Sequence, residues 1–150
     1  MLLREAQLAD IPQLAVIRFA VTENVLSNPG LVTEADYVEF LTQRGKGWVA
    51  VIEGQIVGFA IVDLMGSNVW ALFMQPGYDR QGIGRALHDT MLDWYFAQTY
   101  ETLWLGTTPG TRAEGFYRHA GWHSSGLRPN GEVKFEMTAD KWRGFYRVEE

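Results

Sequence analysis

The sequence predicts a mixed α/β fold, helices layered on a sheet. Three observations predict it. Apolar residues recur at helical spacing early in the chain, then give way to strand-like apolar runs between Trp48 and Met74. A glycine-led segment with a clean helical face follows from Ile83. The remainder alternates strand, helix and hairpin signals, the order expected of a layered α/β domain.

The elements are justified in turn. Asp10 and Pro12 mark a helix start, with Ile11, Leu14, Ala15, Arg18 and Val21 on helical spacing. Ser27-Asn28-Pro29-Gly30 is a turn cluster. Thr33-Glu34-Ala35-Asp36 resembles a capping box, and the helix it opens, carrying Tyr37, Phe40 and Leu41, should end near residues 45–47. Residues 48–52 read as a strand, Glu53-Gly54 as a hairpin turn, and residues 55–63 as a second strand. Strict alternation puts Ile56, Ala60 and Val62 on one face of that strand and Val57, Phe59 and Ile61 on the other, so both faces should be covered. A third strand spans residues 69–74. A loop over residues 75–81 leads into Gly82-Ile83-Gly84, and Ile83, Leu87, Met91, Trp94 and Tyr95 trace a helix to about Gln98. Residues 103–107 form a strand and 111–120 a helix closed by Gly121. Residues 122–127 and 133–137 form a hairpin across Arg128-Pro129-Asn130-Gly131. The tail over residues 139–150 is amphipathic and charged, with no place assigned.

Composition narrows the function. The 150 residues fit one domain, 1–150. Hydrophobic residues at 47% and charged residues at 21% exclude a disordered or fibrous chain. The chain has no cysteine, which excludes thiolate catalysis, disulfides and Cys-ligated metal. With 13 basic against 18 acidic residues, the net charge of −5 argues against a nucleic-acid partner. No apolar run approaches the roughly 18 residues of a membrane span. The opening MLLREAQLAD lacks a signal-like apolar stretch, so the expected location is cytoplasmic, without a membrane partner.

The sharpest local feature is the glycine entrance to the helix at Ile83. Glycines there clear side chains from the first free backbone N–H groups, which together with the positive helix end make an anion seat. Arg80 and Arg85 flank it. A dinucleotide fingerprint needs a third glycine where Leu87 stands, and the following strand ends in Leu105-Gly106-Thr107-Thr108 without an acid. A P-loop needs Lys and Ser or Thr where Arg85 and Ala86 stand. Both nucleotide patterns therefore fail at named positions.

The stretch Leu72-Phe73-Met74-Gln75-Pro76-Gly77-Tyr78-Asp79-Arg80-Gln81-Gly82-Ile83-Gly84-Arg85-Ala86-Leu87 resembles the acetyl-CoA motif of the GCN5-related N-acetyltransferases, whose hallmark is R/Q-x-x-G-x-G/A. A second family element, A-x-x-F/L-Y-x-x-x-G-F/W, is matched by residues 113–122, with Ala113, Phe116, Tyr117, Gly121 and Trp122 in place. The resemblance implies a largely antiparallel sheet splayed after its fourth strand, residues 69–74, and flanked by helices. It implies that the pantetheine arm of acetyl-CoA pairs with the backbone of Leu72, Phe73 and Met74. The pyrophosphate would rest on Arg80, Gln81, Gly82, Ile83, Gly84 and Arg85. Tyr117 falls where the family often places a general acid facing the cofactor sulfur. Three positions depart from the pattern. Asp79 occupies the R/Q position, Gly110 stands where many members have an Asn, and the glutamate that several members carry on the fourth or fifth strand is missing. Thr108 and Thr111 are the candidates to replace the Asn contact.

Acyl transfer to an amine needs a neutral nucleophile, donors for the carbonyl oxygen and a departing thiolate. Deprotonating a primary amine of pKa 10.4 at pH 7 costs roughly 4–5 kcal/mol. Backbone N–H groups at Phe73 or Met74 are candidate donors where the strand splays, and Tyr117 is the candidate donor to the leaving sulfur. A phenol near pKa 10 is a weaker acid than a thiol near 8.5, so full proton transfer would be uphill by about 2 kcal/mol. Candidate acceptor contacts are Glu23, Asp63 and Trp70, while Glu34 and Asp36 fit helix caps better. His88, His119 and His123 read as packing or surface residues, and their scatter predicts no metal site. The sequence as a whole leads us to expect a cytoplasmic acetyl-CoA-dependent N-acetyltransferase. It would use no metal and pass acetyl directly to a primary amine of a small molecule or peptide, with homodimer formation open. The alternatives are a non-catalytic acyl-CoA-binding module of the same fold, and a domain whose glycine entrance takes another phosphate ligand or a protein.

Overall fold

The computed structural model describes residues 1–21, 32–78 and 81–147. The predicted turn at residues 27–30 therefore lies outside the described residues, as do Glu23, Asp79 and Arg80. Seven strands form one sheet in the order β1-β2-β3-β4-β5-β7-β6. The strands are β1 (Leu2–Glu5), β2 (Gly45–Ile52), β3 (Gln55–Asp63), β4 (Asn68–Met74), β5 (Leu103–Thr107), β6 (His123–Leu127) and β7 (Val133–Met137). Helices α1 (Ile11–Ala20) and α2 (Glu34–Glu39) precede β2, and α3 (Ile83–Gln98), α4 (Arg112–His119) and α5 (Ala139–Arg147) follow β4, β5 and β7.

Local chemistry sets the helix ends. The Thr33 hydroxyl accepts from the Asp36 N–H, and the Asp36 carboxylate accepts from the Thr33 N–H at 2.8 Å, a complete capping box. Beyond Glu39 the chain widens into a π-turn over Phe40–Arg44 and enters β2 at Gly45. The strand therefore begins three residues earlier than the sequence suggests. At α1, Ile11, Leu14, Ile17 and Arg18 are buried, whereas Ala15 is exposed, so Ile17 takes the inward place expected of Ala15.

The sheet carries a core on each face. Val57, Ala60, Val62, Leu87, Met91 and Phe135 belong to the α3 side. Leu14, Ile17, Tyr37, Ile56, Phe59 and Ile61 belong to the α1–α2 side. Ile56 and Val57 have exchanged the faces that strict alternation assigns them. The cause is a bulge: Ala50 pairs with Gly58 but Val51 pairs with Ile56, leaving Val57 as an extra residue. A second bulge lies in β4. Ile61 pairs with Ala71 and Val62 with Val69, so Trp70 is the extra residue there. Val69, Leu72 and Met74 pack on the α3 side while Trp70, Ala71 and Phe73 pack on the other.

Two elements escaped the sequence. β1 is a four-residue edge strand paired antiparallel with β2, and the Arg4 guanidinium holds both Asp10 oxygens at 2.8 and 3.0 Å. The amphipathic tail folds as α5 against α3, where the buried Trp142 donates its Nε1–H to Asp93 at 3.1 Å and the Arg143 guanidinium donates to the Phe96 carbonyl. Among the described residues no helix is long and apolar enough to cross a membrane.

Candidate functional site

The sheet is mostly antiparallel, but β4 and β5 run parallel and pair at one position, Asn68 opposite Trp104, with the Trp104 N–H bonded to the Ser67 carbonyl at 2.9 Å. Past that point the strands separate. β5 keeps its other partner along its whole length, from Leu103 opposite Met137 to Thr107 opposite Val133. Among the described residues, the edge of β4 that faces β5 has no strand neighbour from Trp70 to Met74. Unpaired backbone groups in mid-sheet call for a partner.

The gap is a cleft of about 600 Å³ that passes through the sheet. On the α3 side it reaches Gly82, Gly84 and Arg85; on the α1 side it reaches Arg18, Val21 and Trp70. One wall is β4, including Leu72, Phe73 and Met74. The other is β5 and α4, including Leu105, Phe116 and Tyr117.

The α3 end fits an anion. Gly82 is the N-cap residue in the left-handed region, with φ of 78°, and among the described residues no side chain caps the helix. The first intrahelical bond is donated by the Ala86 N–H to the Gly82 carbonyl, so the amides of the turn before it have no carbonyl of their own helix to bond. A Cβ built on Gly82 would meet nothing within 4 Å, and one on Gly84 would touch only Met74, at 3.8 Å. Both would project into the open seat. Ile83 is buried in the core and anchors the turn, while Gln81 is exposed outside the cleft lining. Arg85 lines the cleft and its Nε donates to Asp89 at 2.9 Å, four residues on.

Tyr117 is positioned by aromatic packing. Its ring contacts Phe116, Trp122 and Phe135 at centroid distances of 5.3, 5.6 and 6.1 Å. Burial alone pushes its phenol well above the usual value, with no hydrogen bond contributing. Among the described residues nothing is shown bonding the hydroxyl, and Tyr117 lines the cleft. Behind it lies His88, fully buried. The Trp122 Nε1–H donates to its Nε2 at 2.9 Å, and its Nδ1 lies 2.8 Å from an Asp89 oxygen. That geometry places the imidazole proton on Nδ1, and burial holds the ring's pKa below the ordinary histidine value. His88 is a packing residue, and His119 and His123 are exposed.

Other candidates are placed as follows. Trp70 lines the α1 end, stacked on Phe40 at 4.3 Å and edge-on to Tyr37 at 5.2 Å. Asp63 is buried away from the cleft, where Arg44 grips both its oxygens at 3.2 and 2.8 Å. Its carboxylate is committed to that ion pair and not offered to an acceptor. Thr111 lines the cleft, but its hydroxyl donates to the Thr108 carbonyl at 2.7 Å and accepts from the Glu114 N–H, capping α4. Gly110 has φ of 77° and gives its N–H to Glu114 at 2.8 Å. The residue that sequence reasoning passed over is Arg18. It lines the α1 end, 8% exposed, with its guanidinium carbon 4.9 Å from the Trp70 ring centre and 5.0 Å from that of Phe73. The available signal was an arginine on the apolar stripe of a helix.

Comparison with known proteins bears on this arrangement. The model of the acetyltransferase (GNAT) family matches residues 15–122. No curated protein matches the chain significantly. Similar solved structures include a ribosomal-protein-alanine N-acetyltransferase from Brucella melitensis, 21% identical, with a TM-score of 0.71 over 92% of this chain and 99% of that one. A PaiA N-acetyltransferase from Thermoplasma acidophilum in complex with coenzyme A is 12% identical, with a TM-score of 0.74 over 91% and 98%. An N-acetyltransferase from Staphylococcus aureus is 16% identical, with a TM-score of 0.70 over 92% and 98%.

Proposed function

Because the chain belongs to the GNAT acetyltransferase family, we propose that it passes an acetyl group from acetyl-CoA directly to the primary amine of a small molecule or peptide. One observation carries this reading: a single cleft joins the unpaired edge of β4 to the uncapped amide end of α3. A diphosphate suits those amides, and Arg80, outside the described residues, stands two positions before Gly82 in the sequence. An extended amide-containing arm suits the free edge of Leu72, Phe73 and Met74, as a strand suits a sheet edge. Coenzyme A has both parts, and its thioester supplies an activated acyl group.

The chain's own residues do the rest. Free N–H donors of β4 stand beside the gap, where negative charge on a carbonyl oxygen would develop. Tyr117 gives a hydrogen bond to the departing sulfur, and its raised pKa makes it a donor that keeps its proton. The amine nitrogen gains the acetyl carbon as the carbon–sulfur bond breaks, and its proton leaves to water. Among the described residues no carboxylate lines the cleft. Trp70 forms the acceptor-side wall, and Glu23, outside the described residues, is kept as a candidate acidic contact from the sequence. The same lack of a lining carboxylate favours the second reading, a non-catalytic acyl-CoA-binding module.

The test is thermal unfolding with acetyl-CoA, followed by thiol release across an amine panel. Ligand at 100 times its Kd stabilises by about 2.7 kcal/mol. Absence of any shift defeats both readings. A shift without thiol release from any amine leaves only the binding module.

A further inference from the structure

Arg18 carries a feature the acetyl-transfer scheme does not use. Its Nε and Nη1 are buried with no hydrogen-bond partner among the described residues. Buried donors are ordinarily satisfied, above all charged ones. Arg4, Arg44, Arg85, Arg118 and Arg128 each hold a carboxylate at 2.7–2.9 Å. Arg18 holds none among the described residues, and burial pulls its pKa down. The Tyr37 hydroxyl acts on the guanidinium by charge and by a hydrogen bond, leaving Nε and Nη1 open, and the Asp36 carboxylate, which acts by charge alone, is already bonded to the Thr33 N–H. The guanidinium is held between the Trp70 and Phe73 rings, which fix its place without supplying an anion. It faces the α1 end of the cleft, on the opposite side of the sheet from the amide seat of α3.

We propose that Arg18 binds the carboxylate of the acetyl acceptor, which is therefore a small primary amine bearing an acid group, of the amino-acid class. The proposal rests on the acetyltransferase reading for its reaction, but the carboxylate subsite can be tested without it. An anion entering this end of the cleft meets a desolvated charge with open donors, and charge-assisted hydrogen bonds are the strong ones. The bridging geometry requires the amine to lie toward the gap between β4 and β5 while the acid lies toward α1.

Two measurements test this. With acetyl-CoA, thiol release is compared for amino acids, their methyl esters and the corresponding decarboxylated amines. The acids are expected to exceed the other two by about tenfold or more in kcat/KM. Arg18→Met lowers kcat/KM for the acids by about tenfold more than for the esters, and Arg18→Lys retains part of the preference. Equal use of acids and esters by the wild type overturns the proposal. An equal loss of kcat on both in Arg18→Met also overturns it, because the residue would then serve the reacting carbonyl. Without coenzyme A, N-acetyl amino acids are titrated in thermal unfolding. A shift in the wild type that Arg18→Met lacks supports the subsite even if acetyl-CoA fails to bind. No shift, or the same shift in both proteins, refutes it.

Discussion

Replacing Tyr117 with Phe isolates one oxygen atom. The ring packs against Phe116, Trp122 and Phe135, and Phe keeps that shape. The hydroxyl contributes no protein hydrogen bond to stability. Folding free energy should therefore change by no more than about 0.5 kcal/mol. Catalysis is another matter. A phenol at its ordinary pKa lies about 2 kcal/mol short of protonating a thiolate, and burial at Tyr117 widens that gap. In the proposed reaction the residue would then act through a hydrogen bond to a developing negative charge, worth about 1.5–3 kcal/mol. Its loss should lower kcat by roughly 10- to 150-fold. The assay is thiol release at saturating acetyl-CoA, with cofactor affinity followed by thermal shift. Turnover within twofold of the wild type refutes the assignment, as does a defect confined to cofactor binding.

Three further outcomes follow from the geometry. Gly82→Val puts a branched side chain at φ of 78°, which costs about 1–2 kcal/mol, and abolishes the acetyl-CoA-dependent rise in Tm of roughly 5–11 °C; Gly84→Ala, whose Cβ meets only Met74, keeps the fold and weakens the same shift. Thr33→Ala removes one half of the capping box and should cost about 1 kcal/mol in urea unfolding. Asp10 is held below the usual carboxylate range chiefly by its hydrogen bonds from Arg4, so its stabilising contribution is present above about pH 4 and is lost as pH falls through the lower folded value. Asp10→Asn should then flatten the acid limb of the stability curve, read from Tm between pH 2 and 6.

The sequence was legible where the determinants are local. The strand at Gln55–Asp63 and the helix at Ile83–Gln98 have the bounds that periodicity assigns them, and the box at Thr33–Asp36 forms as written. What escaped depends on partners distant in the chain. The faces of Ile56 and Val57 follow from a bulge set by pairing with β2. α5 exposes its meaning only against Asp93 and Phe96. Asp63 reads as an available acid until Arg44, nineteen residues away, closes on it. Leu2–Glu5 is too short and too charged to declare a strand by pattern. The glycine seat and Tyr117 could be singled out because each lies within a compact motif. Arg18 could not, since its significance arises from two rings on another element.

The bulge at Trp70 is what makes the cleft two-ended. Without the extra residue, alternation along β4 would put Trp70 on the face of Leu72 and Met74, under α3. The bulge turns it toward α1, where it stacks on Phe40 and lies beside Arg18. One inserted residue therefore separates the glycine entrance of α3 on one side of the sheet from an aromatic and cationic chamber on the other. The separation between β4 and β5 connects them. An interior sheet edge without a neighbour is unfavourable in a finished fold. A ligand that supplies backbone-like partners along Leu72–Met74 restores the missing ladder, so binding at this edge and stability of the sheet are one coupled equilibrium.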